Sequence, residues 1–118
     1  MSDTVERYFS AMQRGLDGED ELLGLFADDA VWIDAFGGGE HTGRDAIAEW
    51  VRAARGDAPP DLRIVVDRVD AEGEVVEAAW SCESPAFATP ARGRDRFTIQ
   101  EGRIIRLESV LTEPPKLR

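Results

Sequence analysis

The segment Val31–Phe36 constrains the fold most, because it is a short apolar run that carries one acidic residue. β-Branched and aromatic residues make up most of the run and glycines 37–39 close it, so it predicts a β-strand. Both faces of this strand are apolar except at Asp34, which alternation places on the face of Trp32 and Phe36. A buried carboxylate is costly unless it is paired or its pKa rises. We therefore expect Asp34 either to have a partner or to be used in chemistry.

Helices and strands are grouped along the chain and do not alternate. Apolar spacing predicts three N-terminal helices, at about Asp3–Arg14, at about Asp20–Phe26, and from a cap at Thr42 or Asp45 to about Arg55. The predicted strands after the third helix are Leu62–Val69, Val75–Glu83, Arg92–Gln100 and Arg103–Leu111. This order predicts one α+β domain over residues 1–118, with a curved antiparallel sheet around the helices.

A second carboxylate is predicted to point inward from the strand Arg92–Gln100. Alternation places Asp95 on the face of Phe97 and Ile99, and leaves the arginines of this strand on the other face. The first helix adds Tyr8 at the edge of its apolar stripe, where the ring can pack inward while the hydroxyl finds a polar partner. Two carboxyl groups and a phenol in an apolar cavity form a proton-transfer set, because a base removes a proton next to a carbonyl while donors stabilise the enolate.

Three short stretches of the chain resemble the bacterial ketosteroid isomerases. They are Arg7-Tyr8, the run Leu25–Ala30, and an aspartate four residues after that alanine. These enzymes belong to the superfamily with the nuclear transport factor 2-like fold, which includes the SnoaL-like polyketide cyclases. The resemblance implies a cone-shaped half-barrel, with Asp34 as the general base, Tyr8 as an oxyanion-hole donor and Asp95 as a protonated acid. It also implies a homodimer that packs through the outer face of the sheet.

Further residues are expected around the pocket and at the dimer contact. The pocket should open at the wide end of the half-barrel and be lined by Trp32, Phe36, Trp50, Trp80 and Phe97. The candidates for the dimer contact are the arginine row Arg92, Arg94 and Arg96, and the face that carries Ile104, Arg106, Glu108 and Val110.

These observations favour an isomerase- or cyclase-like enzyme that acts on a small apolar carbonyl compound without a cofactor. The alternative is a non-catalytic module of the same fold that binds a small ligand or forms a dimer. Each of the three residues also has a structural interpretation. Asp34 would be a satisfied structural carboxylate, Asp95 would pair with an arginine, and Tyr8 would be an ordinary tyrosine at a helix edge.

Charge and rare residues narrow the possible partners. The 24 acidic and 14 basic residues give a net charge of −10, which disfavours nucleic acids and anionic membranes as partners.

Cys82 is the single cysteine, which excludes an internal disulfide and fits a cytoplasmic location. No apolar run is long enough to span a membrane. His41, the single histidine, is interpreted as a solvated loop residue near the cavity mouth, and one histidine with scattered acids makes a poor metal site. Arg68 and Asp70 are interpreted as structural.

Overall fold

A computed structural model describes residues 3–35, 39–56 and 61–118. The helices are α1 (Asp3–Gln13), α2 (Glu19–Gly24) and α3 (Arg44–Gly56), and a short 3₁₀ turn, Gly15–Gly18, joins the first two. The strands are β1 (Phe26–Ile33), β2 (Glu40–Thr42), β3 (Arg63–Glu72), β4 (Val75–Glu83), β5 (Phe87–Thr89), β6 (Ala91–Gln100), β7 (Arg103–Glu113) and β8 (Lys116–Leu117). Within these described ranges, no helix is long and apolar enough to cross a membrane.

Six of the strands form one sheet in the order β2-β1-β7-β6-β4-β3, and β5 and β8 form a separate pair. The sheet is curved and open, which confirms the predicted α+β cone. The prediction that it is antiparallel throughout is wrong, because β1 and β7 run parallel. A long crossover through α3 and the intervening strands returns β7 beside β1 in the same direction, as a parallel pair requires.

The first strand, β1, lies earlier in the chain than the predicted segment Val31–Phe36. β1 starts at Phe26, which the sequence placed in the second helix, and it ends at Ile33, before the predicted end at Phe36. Phe36 itself lies outside the described residues. Three short strands, β2, β5 and β8, were not predicted, because two or three residues are too few to show a period.

The core lies between the helices and the inner face of the sheet. Helix α1 contributes Val5, Tyr8 and Ala11 at a helical spacing, and α3 contributes Ile47 and Val51. The sheet supplies the opposing side chains, which include the fully buried Phe26, Phe97, Ile104 and Leu107.

The outer face of β6 carries the predicted arginine row. Arg92, Arg94 and Arg96 are all exposed. The predicted outer face of β7 is wrong at Ile104, which is fully buried. A β-bulge shifts the pairing of β6 and β7 between Thr98 and Ile99. The regular alternation of side chains between the two faces is interrupted there, so Ile104 points inward although Arg106 points outward. The homodimer through this face remains a prediction.

Gly18 allows α1 and α2 to pack closely, and replacing it by Ala is expected to destabilise the fold. A Cβ at Gly18 would lie 2.2 Å from the backbone oxygen of Ala11, which cannot move without disturbing α1. We expect Gly18→Ala to lower the free energy of unfolding in urea by about 1–3 kcal/mol. Gly24→Ala is the matched control, since a Cβ there meets nothing within 4 Å and stability should be unchanged or raised. Equal effects of the two substitutions would contradict this prediction.

Candidate active site

A cavity of about 550 Å³ lies between α1, α3 and the inner face of the sheet, a volume typical of sites for small molecules. Most of its wall is apolar or aromatic, with a few polar groups from different elements. Its polar and ionisable lining residues are Tyr8, Asp34, Arg55, Cys82, Asp95 and Ser109. A second depression of similar volume lies between α2 and α3, is lined mostly by charged side chains, and contains none of these groups.

Asp34 directly follows β1, and its side chain is almost completely buried at 1% exposure. A hydrogen bond of 2.6 Å joins its Oδ2 atom to Nε2 of His41. The pairing of β1 with β2 produces this contact, because His41 lies directly opposite Trp32 and so shares the face of Asp34. The buried carboxylate therefore has the partner that its position requires.

The interpretation of His41 as a solvated loop residue is wrong. His41 lies on β2, its side chain is 17% exposed, and its ring stacks on Trp50 with 5.0 Å between centroids and 12° between planes. The sequence contained one signal for this arrangement. The glycine-rich segment after Ala35 predicts a tight turn, and a hairpin around that turn brings His41 back beside Asp34.

Tyr8 is 2% exposed and is held in place by other rings. Its ring meets those of Trp32 and Phe97 edge to face, with centroids at 6.0 and 5.0 Å. Burial raises the pKa of Tyr8 well above its usual value, and the nearby Asp95 and Cys82 raise it further. The phenol is therefore neutral at physiological pH, and its O–H can donate a hydrogen bond into the cavity.

Asp95 lies in the middle of β6, between Ala78 on β4 and Ser109 on β7, and is 4% exposed. Burial raises the pKa of Asp95 to about 6, an effect that the nearby Ser109 hydroxyl and Trp80 indole N–H partly offset. Both Trp80 Nε1 and Asp95 Oδ1 are buried without a hydrogen-bond partner among the described residues. The alternative interpretation, in which Asp95 pairs with an arginine, is wrong, because no arginine among the described residues forms an ion pair with it.

Gly93 determines where Trp80 lies. A Cβ at Gly93 would be 2.2 Å from Cζ2 of Trp80 and 2.6 Å from the backbone oxygen of Val110. Only a glycine therefore lets the indole cross β6 beside Asp95. The sequence showed a glycine within a predicted strand, which often marks such a close approach, but it did not show what approached.

The structure brings most of the predicted site residues to one cavity. Tyr8, Asp34 and Asp95 line its wall together with Trp32, Trp50 and Trp80. Phe97 is not among the lining residues, contrary to expectation, because it is fully buried in the core behind Tyr8.

Two ionisable lining residues were not predicted from the sequence. Arg55 comes from the last turn of α3, and Cys82 from β4. Burial, reinforced by Asp95, raises the pKa of Cys82 to about 11, so this thiol is neutral.

Other polar residues lie away from the cavity or form no metal site. Arg68 and Asp70 form an exposed ion pair of 2.8 Å on β3, in agreement with their structural interpretation. In the part of the chain that the structure describes, no three His, Cys, Asp or Glu side chains lie close enough together to hold a metal ion.

The chain is similar to proteins of one fold. The family model of the SnoaL-like domain matches residues 5–107. A proposed polyketide cyclase from Sinorhizobium meliloti is 30% identical, with 92% of this chain and 94% of that chain covered and a TM-score of 0.79. A proposed ketosteroid isomerase from Kribbella flavida is 17% identical, with 94% and 76% covered and a TM-score of 0.74.

A third similar structure is an epoxide hydrolase of M. tuberculosis. It is 18% identical, with 92% of this chain and 79% of that chain covered and a TM-score of 0.71. At their low identities, this hydrolase and the Kribbella protein show the fold alone. None of the curated proteins matches the sequence.

Proposed function

Since the chain belongs to the SnoaL-like domain family, we propose that it is a cofactor-independent enzyme of the isomerase or cyclase type that acts on a small apolar carbonyl compound. One observation carries the proposal: Tyr8, Asp34 and Asp95 line the same largely apolar cavity. The similarity to a proposed polyketide cyclase at 30% identity supports the same class of chemistry.

Asp34 is the proposed general base. Its carboxylate accepts a proton from the carbon next to the carbonyl, and the electron pair of that C–H bond moves toward the carbonyl oxygen to form an enolate. His41 Nε2, 2.6 Å away, donates to the ionised carboxylate and fixes its orientation. Return of the proton to another carbon completes an isomerisation, whereas attack of the enolate carbon on a second carbonyl closes a ring and leaves an alkoxide that takes the proton back from Asp34.

Tyr8 and Asp95 are the proposed donors to the enolate oxygen. The neutral phenol of Tyr8 donates at physiological pH, because burial keeps its pKa high. Asp95 donates only in its acid form, which predominates below its pKa of about 6. An enolate that forms beside it favours this acid form further, because two neighbouring negative charges repel each other.

The test is turnover of β,γ-unsaturated ketones, whose conversion to conjugated enones is followed by ultraviolet absorbance. We expect Asp34→Asn to lower turnover by at least about 100-fold, the contribution typical of a general base. Asp29→Asn is the matched control, because this exposed aspartate lies on the same strand and outside the cavity. Unchanged turnover in Asp34→Asn would contradict the proposed role. Binding of these ketones without any turnover by the native protein would instead support a non-catalytic module.

A further inference from the structure

The proton-transfer scheme leaves one charged group of the cavity without a role. Arg55 is the one cation among the described lining residues, whose other ionisable groups include two carboxyls and a thiol. Its side chain is partly exposed as a whole, but Nη1 and Nη2 are closed off from solvent and have no hydrogen-bond partner among the described residues. Buried N–H groups of a cation are costly when unpaired, so their position needs an explanation.

Among the described residues, no acid supplies the missing partner. Glu19 is the carboxylate whose charge acts on Arg55. Glu19 Oε1 is already held by Arg52 Nε at 2.6 Å. A cation in the last turn of α3 complements the helix dipole, which accounts for an arginine at this position. It does not account for two buried donors that have no hydrogen-bond partner among the described residues.

The pattern of free donors matches a specific kind of ligand group. Nη1 and Nη2 are the two terminal nitrogens of the guanidinium, and together they present parallel N–H groups to two oxygen atoms. A carboxylate fits this fork, and the largely apolar wall around Arg55, which includes Ala54, Leu62 and Ile64, strengthens such a contact by excluding water.

We propose that Arg55 binds a carboxylate of the ligand, so that the ligands are small apolar carbonyl compounds that carry an acid group. This assignment rests on the proposed function for the class of compound and adds the group that anchors it. Arg55 holds the acid, and the carbonyl lies against Tyr8, Asp34 and Asp95. The net charge of −10 would otherwise repel such a ligand, and Arg55 offsets that repulsion locally.

Calorimetric titration with 2-naphthoate and with 2-naphthamide tests the assignment, because the two probes share a shape and differ in charge. We expect the native protein to bind the carboxylate at least about tenfold more tightly, the effect of a charge-assisted hydrogen bond. Arg55→Met should remove this preference and leave binding of the amide little changed. Arg63→Met is the control, because this exposed arginine lies between the lining residues Leu62 and Ile64 and should leave the preference intact.

Arg55→Lys is a second, more conservative variant, for the case in which Arg55→Met does not fold. It keeps the positive charge of the side chain but loses the paired N–H groups of the guanidinium. We expect it to retain part of the preference. Equal binding of both probes by the native protein, no binding of 2-naphthoate at all, or a preference that survives Arg55→Met would each overturn the assignment. The measurement does not depend on turnover. Loss of the expected preference therefore counts against Arg55 alone, whereas unchanged turnover in Asp34→Asn counts against the proposed function alone.

Discussion

Asp95→Asn is expected to stabilise the protein more at about pH 8 than at about pH 4, with a difference of about 2 kcal/mol between the two conditions. Burial raises the pKa of Asp95 from 3.8 to about 6. Below pH 3.8 the carboxyl is protonated in both the folded and the unfolded chain, so its burial does not bury a charge. As the pH rises from 3.8 to about 6, the unfolded chain loses the proton first and stability falls. Above about pH 6 both chains are ionised, and the loss of stability no longer grows with pH.

Asparagine has nearly the same shape as aspartate and does not titrate, so it removes this pH dependence without opening a cavity. Urea unfolding of both proteins at the two pH values measures the difference. Asp29→Asn is the control, because replacing an exposed aspartate should change the stability only slightly, and by nearly the same amount at both pH values. If the native protein and Asp95→Asn differ in free energy of unfolding by the same amount at both pH values, ionisation of Asp95 does not destabilise the fold.

His41→Phe is expected to lower the free energy of unfolding by about 3 kcal/mol, the cost of removing one hydrogen-bond partner from a buried carboxylate. Phenylalanine can keep the ring stacked on Trp50, so the substitution isolates the lost hydrogen bond to Asp34. The carboxylate, at 1% exposure, would then be short of one donor.

A double-mutant cycle with Asp34→Asn separates the pair from the packing of His41. Because an amide is not charged, His41→Phe should cost much less in the Asp34→Asn background than in the native protein. Unfolding in urea gives all four stabilities. The same cost in both backgrounds would mean that His41 contributes through packing alone, and it would remove His41 from the proposed mechanism.

The part of the site that sequence alone predicted depends on regular alternation. Asp95 was expected to point inward because Phe97 does, and the structure buries both, since no bulge interrupts the strand between them. The same reasoning failed at Ile104, where a bulge in the pairing of β6 and β7 changes the face. A bulge depends on the partner strand, and one strand's own sequence does not reveal it.

The part that sequence could not predict arises from contacts between distant elements. His41 becomes the partner of Asp34 only when β2 pairs with β1, and β2 is too short to be recognised by its pattern. Arg55 lies in the last turn of α3, where the helix dipole favours a cation whatever that cation contacts. Its position in the cavity follows from the packing of α3 over the sheet, which local sequence does not encode.

Deuterium exchange at the α-carbon of 2-tetralone, followed by proton NMR in deuterium oxide, tests the central claim most directly, because it measures proton removal whatever the natural substrate is. We expect the native protein and Asp29→Asn to accelerate loss of the α-proton signal above the rate in buffer. Asp34→Asn should return exchange to the buffer rate. Exchange by Asp34→Asn at the native rate, or no acceleration by the native protein, would contradict the account of Asp34 as the base of this cavity.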